Sequence, residues 1–190
     1  MNSPMLFTGF GITFFWQLGY AILFTYIVPF LLNVTTMEGH QISLALFIFG
    51  IATLVGSKFG GFMTDRIGIP RSLLGGMTLH VVVLILLSML PHSGVIVMPL
   101  LILWGFYAWS SGPGLQLYLV ELVPEASGIM LSLYGSVLQL SIAAAGGFGG
   151  LAINRYSVHA VSWTAAVSVA IAVILAVISF GQKRNKEVYG

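Results

Sequence analysis

Six long, largely apolar runs alternate with short polar or Gly/Pro-containing breaks along the chain: Leu6–Leu32, Ile42–Phe62, Leu73–Leu90, Val95–Val120, Ile129–Ile153 and Val161–Gly181. A helix needs about 20 mostly apolar residues to cross the hydrocarbon layer of a bilayer, so each run predicts one transmembrane helix. Lys58 is the only charge inside a run. Composition sharpens the picture: 58% of the 190 residues are hydrophobic and 6% are charged, against roughly 45–50% and about 25% in soluble domains. The class is all-α integral membrane, and no water-soluble domain fits beside six crossings.

The few charges set direction. Arg66 and Arg71 follow the second run and Lys183, Arg184 and Lys186 follow the sixth, an even number of helices apart, whereas the opposite loops hold only Arg155. The positive-inside rule therefore predicts a multi-pass cell-membrane protein with both termini, the second-third loop and the fourth-fifth loop in the cytoplasm, residues 182–190 forming a basic tail. The start, Met1-Asn2-Ser3-Pro4, lacks a basic n-region, so the first run is expected to stay in the mature protein. With a net charge of +2 and no basic patch interleaved with aromatics, the chain is not expected to bind nucleic acid. Cysteine is absent, which removes disulfides, thiolate metal sites and cysteine nucleophiles. No H-E-x-x-H pair, G-x-S-x-G elbow or pair of intramembrane acids argues for a membrane enzyme, and nothing calls for a cofactor or a metal.

An internal repeat organises the runs. The second ends Phe59-Gly60-Gly61-Phe62-Met63-Thr64-Asp65-Arg66 and the fifth ends Phe148-Gly149-Gly150-Leu151-Ala152-Ile153-Asn154-Arg155, a constant offset of 89 (149 − 60) that also pairs Ser43-Leu44 with Ser132-Leu133. The copies are three crossings apart, an odd number, so one is inverted in the membrane relative to the other. The expected architecture is two inverted three-helix repeats, residues 6–90 and 95–181, in one six-helix bundle.

The stretch Gly61-Phe62-Met63-Thr64-Asp65-Arg66-Ile67-Gly68-Ile69-Pro70-Arg71 is similar to the G-x-x-x-D-R-x-G-R-R/K loop of the major facilitator superfamily, whose six-helix halves are built as nested inverted repeats. Gly61, Asp65, Arg66, Gly68 and Arg71 match; Ile69 and Pro70 stand where a basic residue is usual. Gln139 to Gly150 resembles the small-residue penultimate helix of the drug/proton antiporter branch, but the fifth run lacks that branch's G-P pair. With the basic tail, this likeness fits the C-terminal six helices of such a transporter. It implies proton-coupled efflux of a small organic solute such as a drug, sugar or metabolite, with a second six-helix bundle as partner. A non-transporting interaction protein or truncated product is the alternative.

Individual residues carry paired readings. Asp65 and Arg66 form either a gating latch or a turn cap with orienting charges. Lys58 either snorkels to the nearby edge or counters a substrate charge. Thr13, Gln17, Tyr20 and Phe24 recur at helical spacing, as do Tyr107, Ser111, Gly114 and Tyr118, and the superfamily resemblance implies that these two faces line a solute cavity, with Gln116 and Trp109 on another face. Gly112, Pro113 and Gly114 interrupt the fourth run and Pro29 bends the first, as packing kinks or as a hinge. Ser141, Ala145 and Gly149 make a small-residue packing stripe. His80 reads as a satisfied polar group, and Glu121 and Glu125 as loop residues.

Overall fold

The computed structural model describes residues 3–90 and 93–189, with side chains from residue 5 to 182. Among the described residues there are eight α-helices, α1 (Ser3–Thr25), α2 (Ile27–Val34), α3 (Gly39–Ile67), α4 (Ile69–Met89), α5 (Gly94–Ser110), α6 (Gly112–Leu122), α7 (Ser127–Arg155) and α8 (Ala160–Tyr189), with a short 3-10 turn at Pro124–Ala126. Among the described residues, six stretches are long and apolar enough to cross a membrane, with α1 and α2, and α5 and α6, joined end to end in the first and fourth crossings. All six expected runs are helical. Pro91 and His92, in the break between the third and fourth runs, and the side chains of Lys183, Arg184 and Lys186 lie outside the described residues.

Both breaks have a local cause. Proline cannot donate to the helical ladder and is tolerated in a first turn; Pro113 stands in the first turn of α6, two residues after Ser111 at the break. In the first crossing the chain breaks at Tyr26, with Pro29 three residues on in α2. The α3–α4 turn is made by Gly68, whose φ of 83° is the positive-φ backbone that favours glycine, while Pro70 opens α4. The residue pair that departs from the superfamily pattern is thus a helix start. Thr64 holds the turn from inside, its hydroxyl donating to the Gly60 carbonyl at 2.8 Å and to Ser72 Oγ at 3.1 Å.

The helices pack as an inverted repeat requires. In the main interhelical contacts α3 lies on α5 and α7 on α1, so the middle crossing of each repeat packs on the first crossing of the other, while α4 and α8 meet each other. The offset of 89 holds in three dimensions. Ala52 and Ser141, Gly56 and Ala145, and Gly60 and Gly149 are buried pairs at that spacing, and Ser43 bonds the Gly39 carbonyl at 3.0 Å just as Ser132 bonds that of Gly128 at 3.0 Å.

Small residues permit these approaches, which matter in lipid because helices there associate through close packing. A Cβ at Gly56 or Gly60 would fall on the backbone of Phe106 or Ser110, so α3 and α5 meet main chain to main chain. Tyr26 takes the matching role on α7, its ring over Gly149 and its hydroxyl donating to the Gly146 carbonyl at 2.7 Å. Polar ties run between crossings as well. Ser179 of α8 lies 2.6 Å from the Tyr118 hydroxyl and 3.1 Å from that of Thr8, and Ser168 donates to the Phe15 carbonyl at 2.7 Å.

Candidate functional site

The two expected cavity faces are divided by the structure. On α1, Thr13 and Gln17 are buried, Tyr20 is half-buried and Phe24 is 45% exposed. The turns around Thr13 pack on α6, Gly9 lying against Leu119 and Gly112 against the Trp16 ring, and the Thr13 hydroxyl is used by the Gly9 carbonyl at 3.0 Å. On the fourth crossing Tyr107 is half-buried, whereas Ser111, Gly114 and Tyr118 are buried. Thr13, Gln17 and Ser111 are covered by neighbouring helices of this bundle, and Tyr20, Phe24 and Tyr107 are the more open members of the two faces. A stripe at helical spacing identifies one side of a helix, and the packing decides how much of that side stays open.

What gathers instead is a set of five rings from three crossings. Tyr20 stacks on Phe24 with ring centroids 5.3 Å apart, meets the edge of Trp109 at 5.7 Å, and lies 5.5 Å from Trp104 and 6.5 Å from Phe49. Trp104 and Phe49 are buried and 4.7 Å apart, forming the base; Phe24, Tyr20 and Trp109 form a more open rim. Such ring contacts add about 0.5–1.5 kcal/mol each to the area they bury. Glycine again sets the spacing, since Gly105 of α5 seats the Phe49 ring.

His80 supports this base from behind. Fully buried on α4, it accepts a hydrogen bond from Trp104 Nε1 to its Nε2 at 3.0 Å, which fixes the indole plane; removal of the acceptor would leave a buried N–H unmatched, at about 1–3 kcal/mol. Its Nδ1 has no hydrogen-bond partner among the described residues. Trp16 makes a second tie, its Nε1 donating to the Ala108 carbonyl at 3.0 Å, three residues before the break at Ser111.

The loop residues lie apart from the rings. Asp65 is exposed and has no ion-pair partner among the described residues; it shares a cleft of ≈ 310 Å³ with Gly68, Tyr118, Glu121 and Phe180. Arg66 is exposed with its guanidinium 5.0 Å from the centre of the Phe62 ring, and Arg71 is exposed two residues into α4 after Ile69. Gly61 is unlike Gly60, since a Cβ there would meet only Pro113, at 4.0 Å. Lys58 is exposed on α3.

A bundle of broken and unbroken crossings arranged as paired triplets, with a D-R-x-G turn between its second and third, defines a class of membrane carrier. The profile of the Major Facilitator Superfamily matches residues 8–188, and the chain belongs to that family. It is a transporter family, not an enzyme family. The chain is similar to an uncharacterized MFS-type transporter, YbcL, of Bacillus subtilis (strain 168), 47% identical over 175 residues, covering 92% of this chain and 45% of the relative. It is also similar to the transcription regulatory protein OpdE of Pseudomonas aeruginosa, 29% identical over 186 residues (96% of this chain, 45% of the relative), and to a probable sugar efflux transporter of Pasteurella multocida, 25% identical over 155 residues (82% and 38%). The chain spans less than half the length of these relatives.

Proposed function

We propose that this chain is one six-helix half, the C-terminal one, of a transporter that exports a small organic solute in exchange for protons, its repeats bounded near residues 6–90 and 95–181. The observation that carries the reading is the ring set on α1, α3 and α5. Its rim of Phe24, Tyr20 and Trp109 offers ring faces and a phenol without a fixed charge, which suits weak, reversible contact with an organic solute. The efflux assignment draws on the name of the Pasteurella multocida relative. The acids of this chain stand at helix ends, so proton coupling is assigned to residues of a second bundle. Gly112 to Gly114 act as the hinge between α5 and α6.

The Asp65 to Arg71 loop serves as the gate in this reading. Asp65→Asn in the complete transporter is expected to lower proton-driven solute flux into inverted vesicles at least about tenfold, the effect of some 1.4 kcal/mol on a transition, with membrane abundance and solute binding retained. Asn154→Ala at the equivalent place in the other repeat should leave flux unchanged. Wild-type flux in Asp65→Asn would reduce Asp65 to a surface residue of the turn. Orientation is checked separately: reporter fusions after Gly68 and after Gly190 should both read cytoplasmic, and an external signal from either would reverse the proposed topology.

A further inference from the structure

At the end of the bundle that carries the gating loop, α3 and α4 run antiparallel from their shared turn at Gly68 and leave a cavity of ≈ 160 Å³ between them. Its α3 side is a stripe at intervals of one turn, Phe59, Met63 and Ile67; its α4 side is the matching stripe Arg71, Gly75 and Leu79, and Tyr107 and Ser110 of α5 complete the lining. Because the helices are antiparallel, Ile67 and Arg71 flank the mouth near the turn, while Phe59 and Leu79 flank the inner end. Eight residues of helical rise make the groove about 12 Å long, parallel to the crossing axis. The missing side chain at Gly75 opens it, since a Cβ there would meet nothing within 4 Å.

We propose that this groove is a binding site for a phospholipid with an anionic head group, its acyl chain lying along the Phe59–Met63–Ile67 wall and its phosphate on the Arg71 guanidinium. Charge complementarity selects the occupant: the groove is apolar along its length, and Arg71 is the charged residue that lines it, at the end where the chain turns. Arg66 on the same turn adds a second guanidinium nearby, packed over Phe62. Asp65 lines the separate cleft toward α6 and α8, so it does not oppose a phosphate within the groove. The ring set at Tyr20 and Trp109 is made by other residues, although Tyr107 of α5 also lines the groove. The proposal holds whichever way the chain is oriented and whatever it transports.

The test is native mass spectrometry of the chain released from nanodiscs made of equal amounts of phosphatidylglycerol and phosphatidylcholine. Wild type should retain phosphatidylglycerol in preference. Arg71→Gln should lower that preference about fivefold, the weight of one basic residue at an anionic membrane surface, whereas Arg155→Gln, on an exposed residue away from the groove, should not change it. Gly75→Leu fills the groove from a position with open space around it and should abolish retention of the bound lipid. Circular dichroism confirms that the variant is folded, and Arg71→Gln supplies an independent reading if it is not. Equal retention of the two lipids by wild type, or an equal loss in Arg155→Gln, would overturn the site and leave only annular lipid.

Discussion

Replacing Gly60 by leucine is expected to abolish accumulation of the folded protein in the membrane, while the same change at Gly61 leaves it near the wild-type level. The two residues are adjacent in the Phe-Gly-Gly motif and look equivalent in the sequence. In the structure Gly60 faces α5 so closely that even a Cβ would fall on the Ser110 carbonyl, whereas Gly61 has only Pro113 near its Cβ position. An obstructing atom on a flexible side chain would turn aside. A backbone carbonyl cannot, so the helices must separate, and the contacts further along the same seam, Gly56 on Phe106 and Gly105 on Phe49, separate with them. Overpacking a core typically costs about 1–3 kcal/mol, and loss of this seam should reach the upper end of that range or exceed it. Since a domain's stability is roughly 5–15 kcal/mol, the expected readout is a collapse of the monodisperse peak in detergent size-exclusion chromatography for Gly60→Leu. A monodisperse Gly60→Leu variant at wild-type yield would show that α3 and α5 do not meet through this glycine.

The same pair shows what could be read from the chain alone. The Phe-Gly-Gly repeat, its offset of 89 and the inversion follow from counting, and the buried pairs Gly60 with Gly149 and Gly56 with Ala145 carry that register into the packing. Six crossings were legible because apolar runs long enough to span a bilayer have few alternatives in a chain with so few charges. Helix ends were less so: α3 continues past Phe62 through Thr64, Asp65 and Arg66, since helix formation does not stop where the apolar run does.

The site was less legible, for a reason confined to a few residues. A stripe drawn through Tyr107, Ser111, Gly114 and Tyr118 picks one side of the fourth crossing, but Ser111, Gly114 and Tyr118 on that side are buried against neighbouring helices. Trp109, placed on another face of the same helix, is one of the residues that meet the Tyr20 ring. Phe49 and Trp104 carried no signal, because a buried aromatic in an apolar run reads the same whether it packs a core or supports a site.

The 190-residue chain reconstituted alone is expected to transport nothing, and flux should return when it is co-assembled with a second six-helix bundle. The described helices already suggest where such a bundle would sit. Only 28% of the most apolar window of α3 and 22% of that of α7 is buried, against 39–56% for the other four crossings, so the two middle crossings of the repeats are the least covered. On α7 the open side includes Ser132, Ser136 and Gln139; the two serines turn their hydroxyls back to the carbonyls of Gly128 and Ser132 at 3.0 and 3.1 Å. Lipid cannot hydrogen-bond a glutamine amide, so burial of this side against protein is favoured over exposure to hydrocarbon. Alternating access also needs two bundles that rock about a site between them, and in the proposed reading the ring rim at Phe24 and Trp109 would supply one wall of it. Because the chain has no cysteine, a single cysteine at Gln139 gives a clean readout. Maleimide should label it in the isolated bundle and be excluded from it in the complete transporter, at equal protein amounts. Solute flux by the isolated chain as a light-scattering monomer would refute the two-bundle requirement, and equal labelling in both preparations would place the partner on a different face.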